Sequence, residues 1–167
     1  PKQFLRIGGE VILIRTICLF HEFDPEMAIV VTLPEKEIAT WKSICSEENF
    51  DIPHKLVTGG KTRFHSVKNA LKEIAGNSIV AIHDGVRPLV SKEIIARAYQ
   101  EAERSGSAIP VIDIFESVRY VNEQENYPVN RQNYKLVQTP QVFLSNLILS
   151  AYQTDFREEF TDDASVF

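Results

Sequence analysis

Short apolar runs alternate with amphipathic segments up to Pro110, and this alternation limits the possible folds more than any other feature of the chain. The apolar runs are rich in β-branched residues, as in "MAIVVTL" at Met27–Leu33. The segments between them repeat apolar residues at helical spacing, as in "RFHSVKNALKEIAG" at Arg63–Gly76. Strands that alternate with helices of about 10 to 15 residues are typical of βαβ units. The sequence therefore predicts an α/β fold with a mostly parallel, twisted sheet flanked by helices.

The predicted elements follow one another without an internal repeat or an obvious linker, so we expect a single domain over residues 1–167. In the second helix, Ile38, Trp41 and Cys45 share one face and are expected to be buried. Ser91 is a predicted helix cap. We predict helices over Glu10–Phe23, Pro34–Cys45, Arg63–Gly76 and Ser91–Gly106, and strands over Met27–Leu33, His54–Gly60, Ser78–Ile82 and Ser107–Ile112.

The pattern changes after Pro110 to an alternation of polar and apolar residues, which favours antiparallel strands. "ESVRYV" at Glu116–Val121 and "YKLVQ" at Tyr134–Gln138 are predicted to pair, joined by a polar stretch. A two-stranded ribbon is only marginally stable alone. We therefore expect a projecting β-ribbon within residues 113–139 that packs against a second subunit.

Composition and charge exclude several classes of protein. The net charge of −5 disfavours non-specific binding of nucleic acid through a basic surface. No apolar run approaches the ~18 residues that a membrane span needs. Cys18 and Cys45 match neither a zinc site nor a disulfide framework, which favours a cytoplasmic protein. The chain begins at Pro1 and ends in mid-pattern, so we expect further segments at both ends.

A pair of glycines marks the first candidate site. In "VTGGKTRFHS" a predicted strand runs into Gly59 and Gly60 and then into a helix, with Ser66 in its first turns. Glycines let backbone N–H groups approach an anion, and a helix N-terminus carries partial positive charge. The alternative is a turn that merely needs glycine.

Three common catalytic motifs are absent. A nucleotide-binding P-loop needs a glycine five positions before Gly60, where Lys55 stands. The stretch "HEFDP" at His21 has Pro25 where a metalloprotease helix carries its second histidine. The chain has no G-x-S-x-G, so a serine hydrolase has no support.

The second candidate site is "AIHDGVRPLVS", where a buried strand ends in an acid and a base three residues apart. Asp84 lies where ligands bind in open α/β sheets, and its carboxylate suits Mg²⁺ when phosphates supply the other oxygens. Gly85 leaves room for a ligand, and the guanidinium of Arg87 suits a phosphate. We expect His83 to be packed or hydrogen-bonded. The alternative is that Asp84 caps a turn and Arg87 is solvated.

Several motifs together resemble the 2-C-methyl-D-erythritol 4-phosphate cytidylyltransferases of the non-mevalonate isoprenoid pathway. The resemblance spans nearly the whole chain, and the related ribitol-5-phosphate cytidylyltransferases share most of it. The segments are "PKQFLRIGG", "GGKTRFHSVKNAL", "HDGVRPLV" with "LVQTPQVF", and "TDDAS".

The resemblance implies a Rossmann-like nucleotidyltransferase that joins CTP and a sugar-alcohol phosphate, with Mg²⁺, and releases pyrophosphate. It implies that Lys2 stabilises charge at the CTP phosphates and that Asp84 holds Mg²⁺. It also implies that the nucleotide is bordered by Gly59, Gly60, Ser66 and Gly85.

The same resemblance implies a binding site for the second substrate. Arg87 would grip its phosphate or hydroxyls, and Ser117 stands where many relatives have threonine. Arg131 matches an arginine that positions the substrate phosphate from the neighbouring subunit of a dimer. Thr139 and Thr161 match threonines on the substrate side.

Two alternatives stay open from the residues alone. The first keeps the chemistry and changes the alcohol to D-ribitol 5-phosphate. The second is a non-catalytic nucleotide-binding or dimerisation module, because the family's glycine-rich phosphate loop and its late lysine do not occur in residues 1–167.

The chemistry itself needs no protein nucleophile, since the attacking group is a phosphate anion. The protein must instead align two anions and relieve their repulsion. We therefore expect Asp84 and Arg87 to point apart across their turn, the acid towards the metal and CTP, and the arginine towards the other substrate.

Overall fold

The computed structural model describes residues 1–167 and confirms the predicted α/β class. None of its helices is long and apolar enough to cross a lipid bilayer. Single 3-10 turns lie at Lys2–Phe4 and Arg131–Asn133. The helices are α1 (Ile12–Phe23), α2 (Glu35–Glu47), α3 (Arg63–Leu71), α4 (Lys92–Ser105) and α5 (Ser145–Ala151). The strands are β1 (Arg6–Ile7), β2 (Glu10–Val11), β3 (Val30–Leu33), β4 (Lys55–Thr58), β5 (Ile79–Ile82), β6 (Ser107–Ala108), β7 (Val111–Asp113), β8 (Arg119–Val121), β9 (Asn126–Pro128), β10 (Lys135–Val137) and β11 (Gln141–Leu144).

Capping residues set the helix ends largely as predicted. The Ser91 hydroxyl accepts a hydrogen bond from the Ile94 N–H at the start of α4, and Gly106 ends that helix with a φ of 92°. This left-handed conformation favours glycine. Helix α3 ends at Leu71, earlier than the predicted Gly76. Ile74 nevertheless packs against the core from the turns that follow, which is why the apolar pattern runs past the helix.

Five of the strands form two groups. Strands β3 and β4 pair in parallel, with Val31 opposite Leu56. In the second group β11 lies between β5 and β6 and runs antiparallel to both, so β5 and β6 run parallel to each other. Trp41 of α2 is fully buried against the first group, with Ile38 and Cys45 packed beside it as predicted.

An open cleft separates the two groups of strands. Strand β3 pairs only with β4, and β5 pairs only with β11, so each strand has one edge without a partner. Both strands line a mostly apolar cavity of about 690 Å³, to which α1 and α3 also contribute. The cleft therefore has hydrogen-bonding strand edges on two sides and helices on the others.

The region after Pro110 contains two short ribbons, and the predicted pairing of Glu116–Val121 with Tyr134–Gln138 is wrong. Strand β10 pairs with β7, and β8 pairs with β9, with Tyr120 opposite Tyr127. Asn122 explains the second pair, because its side-chain oxygen accepts hydrogen bonds from the N–H groups of Gln124 and Glu125 and closes a local turn.

The predicted strand Ser107–Ile112 is also divided. Its first part, β6, pairs with β11, whereas its second part, β7, pairs with β10 in another sheet. Pro110 lies between the two parts and has no N–H to donate to a strand partner. The chain therefore changes sheets at this proline.

We expect the substitution Trp41→Ala to lower the free energy of unfolding by about 3–5 kcal/mol, because it empties a fully buried site. Urea denaturation followed by circular dichroism measures the change. Lys42→Ala is the control, because Lys42 is the neighbouring exposed residue on α2. This substitution is expected to lower the free energy of unfolding by less than about 0.5 kcal/mol. A loss below about 1 kcal/mol for Trp41→Ala would contradict this assignment of the core.

Candidate functional site

The glycine pair is packed directly against the first turns of α3. The Gly60 N–H donates a hydrogen bond of 3.0 Å to Oγ of Ser66, and that hydroxyl donates to the carbonyl of Thr62 at 3.0 Å. A Cβ on Gly60 would lie 2.3 Å from Cβ of His65. This close approach requires glycine at position 60, and it fixes Ser66 at the loop.

Asp84 lies in a closed turn directly after β5. Its N–H donates to Oγ1 of Thr139 at 3.3 Å, and the Arg87 N–H donates to the Asp84 carbonyl at 3.0 Å. The side chains also meet, since Nε of Arg87 donates to Oδ2 of Asp84 at 2.8 Å. A second arm of the same guanidinium donates to the side-chain oxygen of Gln138.

The expectation that Asp84 and Arg87 point apart is therefore wrong. The turn brings residues three apart onto one side, within reach of each other, and opposite charges at that spacing pair. Both side chains are partly exposed, at 32% for Asp84 and 42% for Arg87. An ion pair this accessible to water contributes only about 0–1 kcal/mol, so it can open at little cost.

The sequence analysis missed Arg63, which connects this turn to the end of the chain. Its Nε lies 3.8 Å from Oδ1 of Asp84, and its Nη2 donates to the carboxylate of Asp163. Asp163 is fully buried and also accepts a hydrogen bond of 2.7 Å from the Tyr152 hydroxyl. Burial and the Asp163 carboxylate raise the pKa of Tyr152, so its hydroxyl stays protonated and donates.

One sequence signal could have identified Arg63. It follows Thr62, whose hydroxyl caps α3, so it is the first residue of the helix. A cation is unfavourable beside the positive end of a helix dipole. An arginine at that position therefore indicates an acidic partner elsewhere in the fold.

The "TDDAS" turn is held against β11 by Gln141. The side-chain amide of this buried residue donates to Asp162 at 3.0 Å and accepts from the Ala164 N–H at 2.9 Å. Thr161 lies exposed at the start of the turn, whereas Thr139 is buried beside Asp84. The turn is thus fixed to the first residue of β11, and the Asp84 loop is fixed to Thr139, two residues before that strand.

His83 is packed and hydrogen-bonded, as expected. Its Nε2 lies 3.0 Å from the Arg87 carbonyl, and its ring meets the ring of Phe20 edge to face. Its Nδ1 is buried without a partner, and burial lowers the pKa of the imidazole. A neutral ring that donates from Nε2 to a carbonyl leaves Nδ1 as a bare acceptor. His83 is therefore not placed for acid–base chemistry.

Only some of the candidate residues lie close together within a single subunit. Ser66, Asp84 and Gly85 line the central cleft, and so does Gln3, the neighbour of the exposed Lys2. Arg87 and Thr139 contact Asp84. Ser117 and Arg131 lie exposed in the ribbon region instead, where the Arg131 guanidinium donates to the Phe115 carbonyl. Neither makes a hydrogen bond or ion pair with the Asp84 group.

The donor set suits a cation only in part. No cluster of three or more His, Cys, Asp or Glu side chains is present. The Asp84 carboxylate lines the cleft, and its Oδ1 accepts no hydrogen bond and lies 3.8 Å from Nε of Arg63. One free carboxylate oxygen fits Mg²⁺ when phosphate oxygens and water complete the coordination.

Comparisons with known proteins agree on one family. A model of the IspD family, described as 2-C-methyl-D-erythritol 4-phosphate cytidylyltransferase, matches residues 1–167. The protein of that name from Bacteroides fragilis is 52% identical over 166 residues, which cover 99% of this chain and 76% of the relative. The protein of that name from Phocaeicola vulgatus is 49% identical, with 99% and 76% covered.

A solved structure shows the same fold. The crystal structure of 4-diphosphocytidyl-2C-methyl-D-erythritol synthase from Anaerococcus prevotii superposes with a TM-score of 0.85 at 25% identity. The superposition covers 100% of this chain and 75% of the Anaerococcus chain. The chain thus spans about three quarters of the length of these relatives.

We expect Gly60→Ala to lower the free energy of unfolding by about 1–3 kcal/mol, because the new Cβ would overlap His65 and force the loop from α3. Urea denaturation measures the loss. Gly85→Ala is the control, since its Cβ would meet only the movable end of Leu13 at 3.0 Å. An equal or larger loss for the control would show that the Gly60 contact is not the cause.

Proposed function

Because the chain belongs to the 2-C-methyl-D-erythritol 4-phosphate cytidylyltransferase family, we propose that it transfers the cytidylyl group of CTP to 2-C-methyl-D-erythritol 4-phosphate. The products are CDP-methylerythritol and pyrophosphate, in the isoprenoid pathway of that substrate. The observation that carries the proposal is the match over the whole chain. The grouping of the glycine loop, Asp84 and Arg87 beyond the ends of β4 and β5 supports it.

The residues at the site suit a transfer between two anions. The substrate phosphate is already an anionic nucleophile, so the reaction needs no general base. His83 is neutral and hydrogen-bonded to the Arg87 carbonyl, and it has no role as a base here. Lys2 and the N-terminus of α3 would supply positive charge at the CTP phosphates, where charge develops during transfer. Mg²⁺ held by Asp84 would supply further charge neutralisation when bound.

Arg87 takes the second substrate in this proposal. Its guanidinium would leave Asp84 for the phosphate or hydroxyls of the alcohol, and Thr139 and Thr161 would lie on the same side. The exposed Asp84–Arg87 pair costs little to open, so substrate binding can separate the two side chains. In the substrate complex the acid and the arginine would then serve different ligands.

We propose a homodimer formed through the ribbon region, residues 113–139. Phe115 is 78% exposed, and apolar side chains concentrated at a surface mark interaction sites. A second copy that covered this region would also bring Ser117 and Arg131 of one subunit to the site of the other. The exposed apolar residues in and beside the region are Val111, Ile112, Phe115, Tyr120, Val121, Tyr127, Tyr134, Leu136 and Val137.

We place the protein in the cytoplasm. Cys18 and Cys45 are separate free thiols, and burial raises the pKa of both. Thiols that stay protonated and unpaired suit a reducing compartment. Neither a membrane nor a nucleic acid is part of the proposal.

The substrate is tested by measuring pyrophosphate release with each alcohol phosphate. The full-length protein is given CTP and Mg²⁺ with either 2-C-methyl-D-erythritol 4-phosphate or D-ribitol 5-phosphate. We expect the higher kcat/KM with the methylerythritol substrate. Equal or faster turnover of ribitol phosphate would make the second alcohol the substrate, and no release with either would favour a non-catalytic module.

Arg131→Ala is expected to lower kcat/KM for the alcohol phosphate about 100-fold, because the phosphate would lose its positioning. The dissociation constant of CTP should stay within about twofold, since the proposed partner of Arg131 is the other substrate. Arg119→Ala removes a ribbon arginine that pairs with Asn126 of its own hairpin, and it is the matched control. An equal loss of CTP affinity would remove Arg131 from the substrate site.

Mixed dimers test whether the site is shared. If Arg131 acts on the partner's site, Lys2→Ala and Arg131→Ala chains mixed in equal amounts should regain about a quarter of wild-type activity, because half the dimers then hold one intact site. If each chain supplies its own Arg131, mixing restores nothing.

The segment that fills the central cleft in the full-length protein distinguishes an enzyme from a module that has lost the reaction. Its two open strand edges suit one further apolar strand, and a strand buried between parallel neighbours is rich in β-branched residues. We propose that the part of the protein matching the relatives' uncovered length supplies this strand and a glycine-rich phosphate loop. A full-length sequence without such a segment before Pro1 would favour the module.

A further inference from the structure

Three charged side chains form a row that ends at the candidate metal ligand, Asp84. Asp163, Arg63 and Asp84 follow one another from the buried interior to the cleft. The Arg63 guanidinium is in hydrogen-bond contact with Asp163 and 3.8 Å from Asp84. One cation therefore lies between two anions and is bound to the inner one.

The inner carboxylate has the stronger hold for a physical reason. Asp163 is fully buried, whereas Asp84 is 32% exposed, so water screens the attraction of Arg63 to Asp84 more than its attraction to Asp163. The Tyr152 hydroxyl donates to the other oxygen of Asp163 and fixes the carboxylate in place. Without Arg63, Asp163 would be an uncompensated buried charge.

The distance of the Arg63 guanidinium from Asp84 determines how strongly that carboxylate is paired with a cationic side chain. Asp84 already pairs with Arg87, which the proposed reaction draws away towards the alcohol phosphate. If Arg63 were free to close the remaining gap, it would occupy Oδ1, the oxygen that is open to a cation. A guanidinium in contact with a carboxylate stabilises its charged form and competes with other cations.

We propose that Asp163 and Arg63 are positioning residues, in which the buried carboxylate holds the guanidinium away from Asp84 and keeps that carboxylate free for a divalent cation. This inference rests on the proposed role of Asp84. It assigns a function to the second aspartate of "TDDAS", which contacts neither substrate in the proposed reaction.

The test is the binding of Mn²⁺, a spectroscopic substitute for Mg²⁺, to the full-length protein with CTP, measured by calorimetry and electron paramagnetic resonance. Asp163→Asn should raise the dissociation constant of Mn²⁺ about tenfold, because the released Arg63 moves onto Asp84. The double variant Asp163→Asn with Arg63→Gln has no cation to release, so its dissociation constant should return to within about twofold of wild type.

Asp162→Asn is the matched control. It removes the same charge from the same turn, but Asp162 pairs with Gln141 rather than Arg63, so Mn²⁺ binding should not change. Circular dichroism and urea denaturation check that each variant is folded. Arg63→Lys gives a second measurement, because the shorter ammonium would stay with buried Asp163 and leave Mn²⁺ binding within about twofold.

The outcomes separate the inference from the proposal on which it rests. A double variant as weak as Asp163→Asn, or a large loss with Arg63→Lys, would show that the network only supports the fold and would overturn the inference. Asp84→Asn tests the underlying role, and unchanged Mn²⁺ binding there would remove Asp84 from the metal site. Weaker binding in Asp84→Asn with wild-type binding in Asp163→Asn would keep the metal site and reject the positioning role.

Discussion

The buried contact between Arg63 and Asp163 links parts of the site that lie far apart in the sequence. It joins the start of α3, and with it the glycine loop, to a turn 100 residues later in the chain. Gln141 holds the same turn to β11, next to Thr139 and the Asp84 loop. Loops that are distant in sequence are thereby fixed relative to one another before any ligand binds, which reduces the ordering that binding must otherwise impose.

The fold serves this arrangement by ending its strands at one edge. The ends of β4 and β5 lead into the glycine pair and the Asp84 turn, and Arg63 spans the distance between them. Ligands of open α/β sheets bind at such an edge. The ribbons lie apart from it and carry exposed apolar side chains.

The sequence was sufficient for the features that depend on local pattern. The periodicity around Trp41, the cap at Ser91 and the glycine end at Gly106 are each determined within a few residues, and the structure confirms them. The family resemblance is likewise confirmed, because it rests on several short motifs in a fixed order.

Features that depend on distant partners could not be predicted in the same way. The alternation of polar and apolar residues predicted strands near Val121 and Leu136 but did not identify their partners. The turn at Asn122 instead pairs the first of these strands with its neighbour in a local hairpin. The contact of Arg87 with Asp84 depends on how their turn closes, and the role of Arg63 depends on a buried acid near the end of the chain. Charge type is visible in a sequence, whereas which charge faces which is a property of the fold.

The central cleft affects how cooperatively the protein unfolds. Trp41 and its neighbours form one apolar cluster with β3, whereas Phe64, Phe143 and Tyr152 form another on the far side. No strand hydrogen bonds cross between the two groups, so the halves are coupled by side-chain packing more than by a continuous sheet. A strand seated between β3 and β5, as proposed above, would pair with both facing edges and join the two groups into a single cooperative unit.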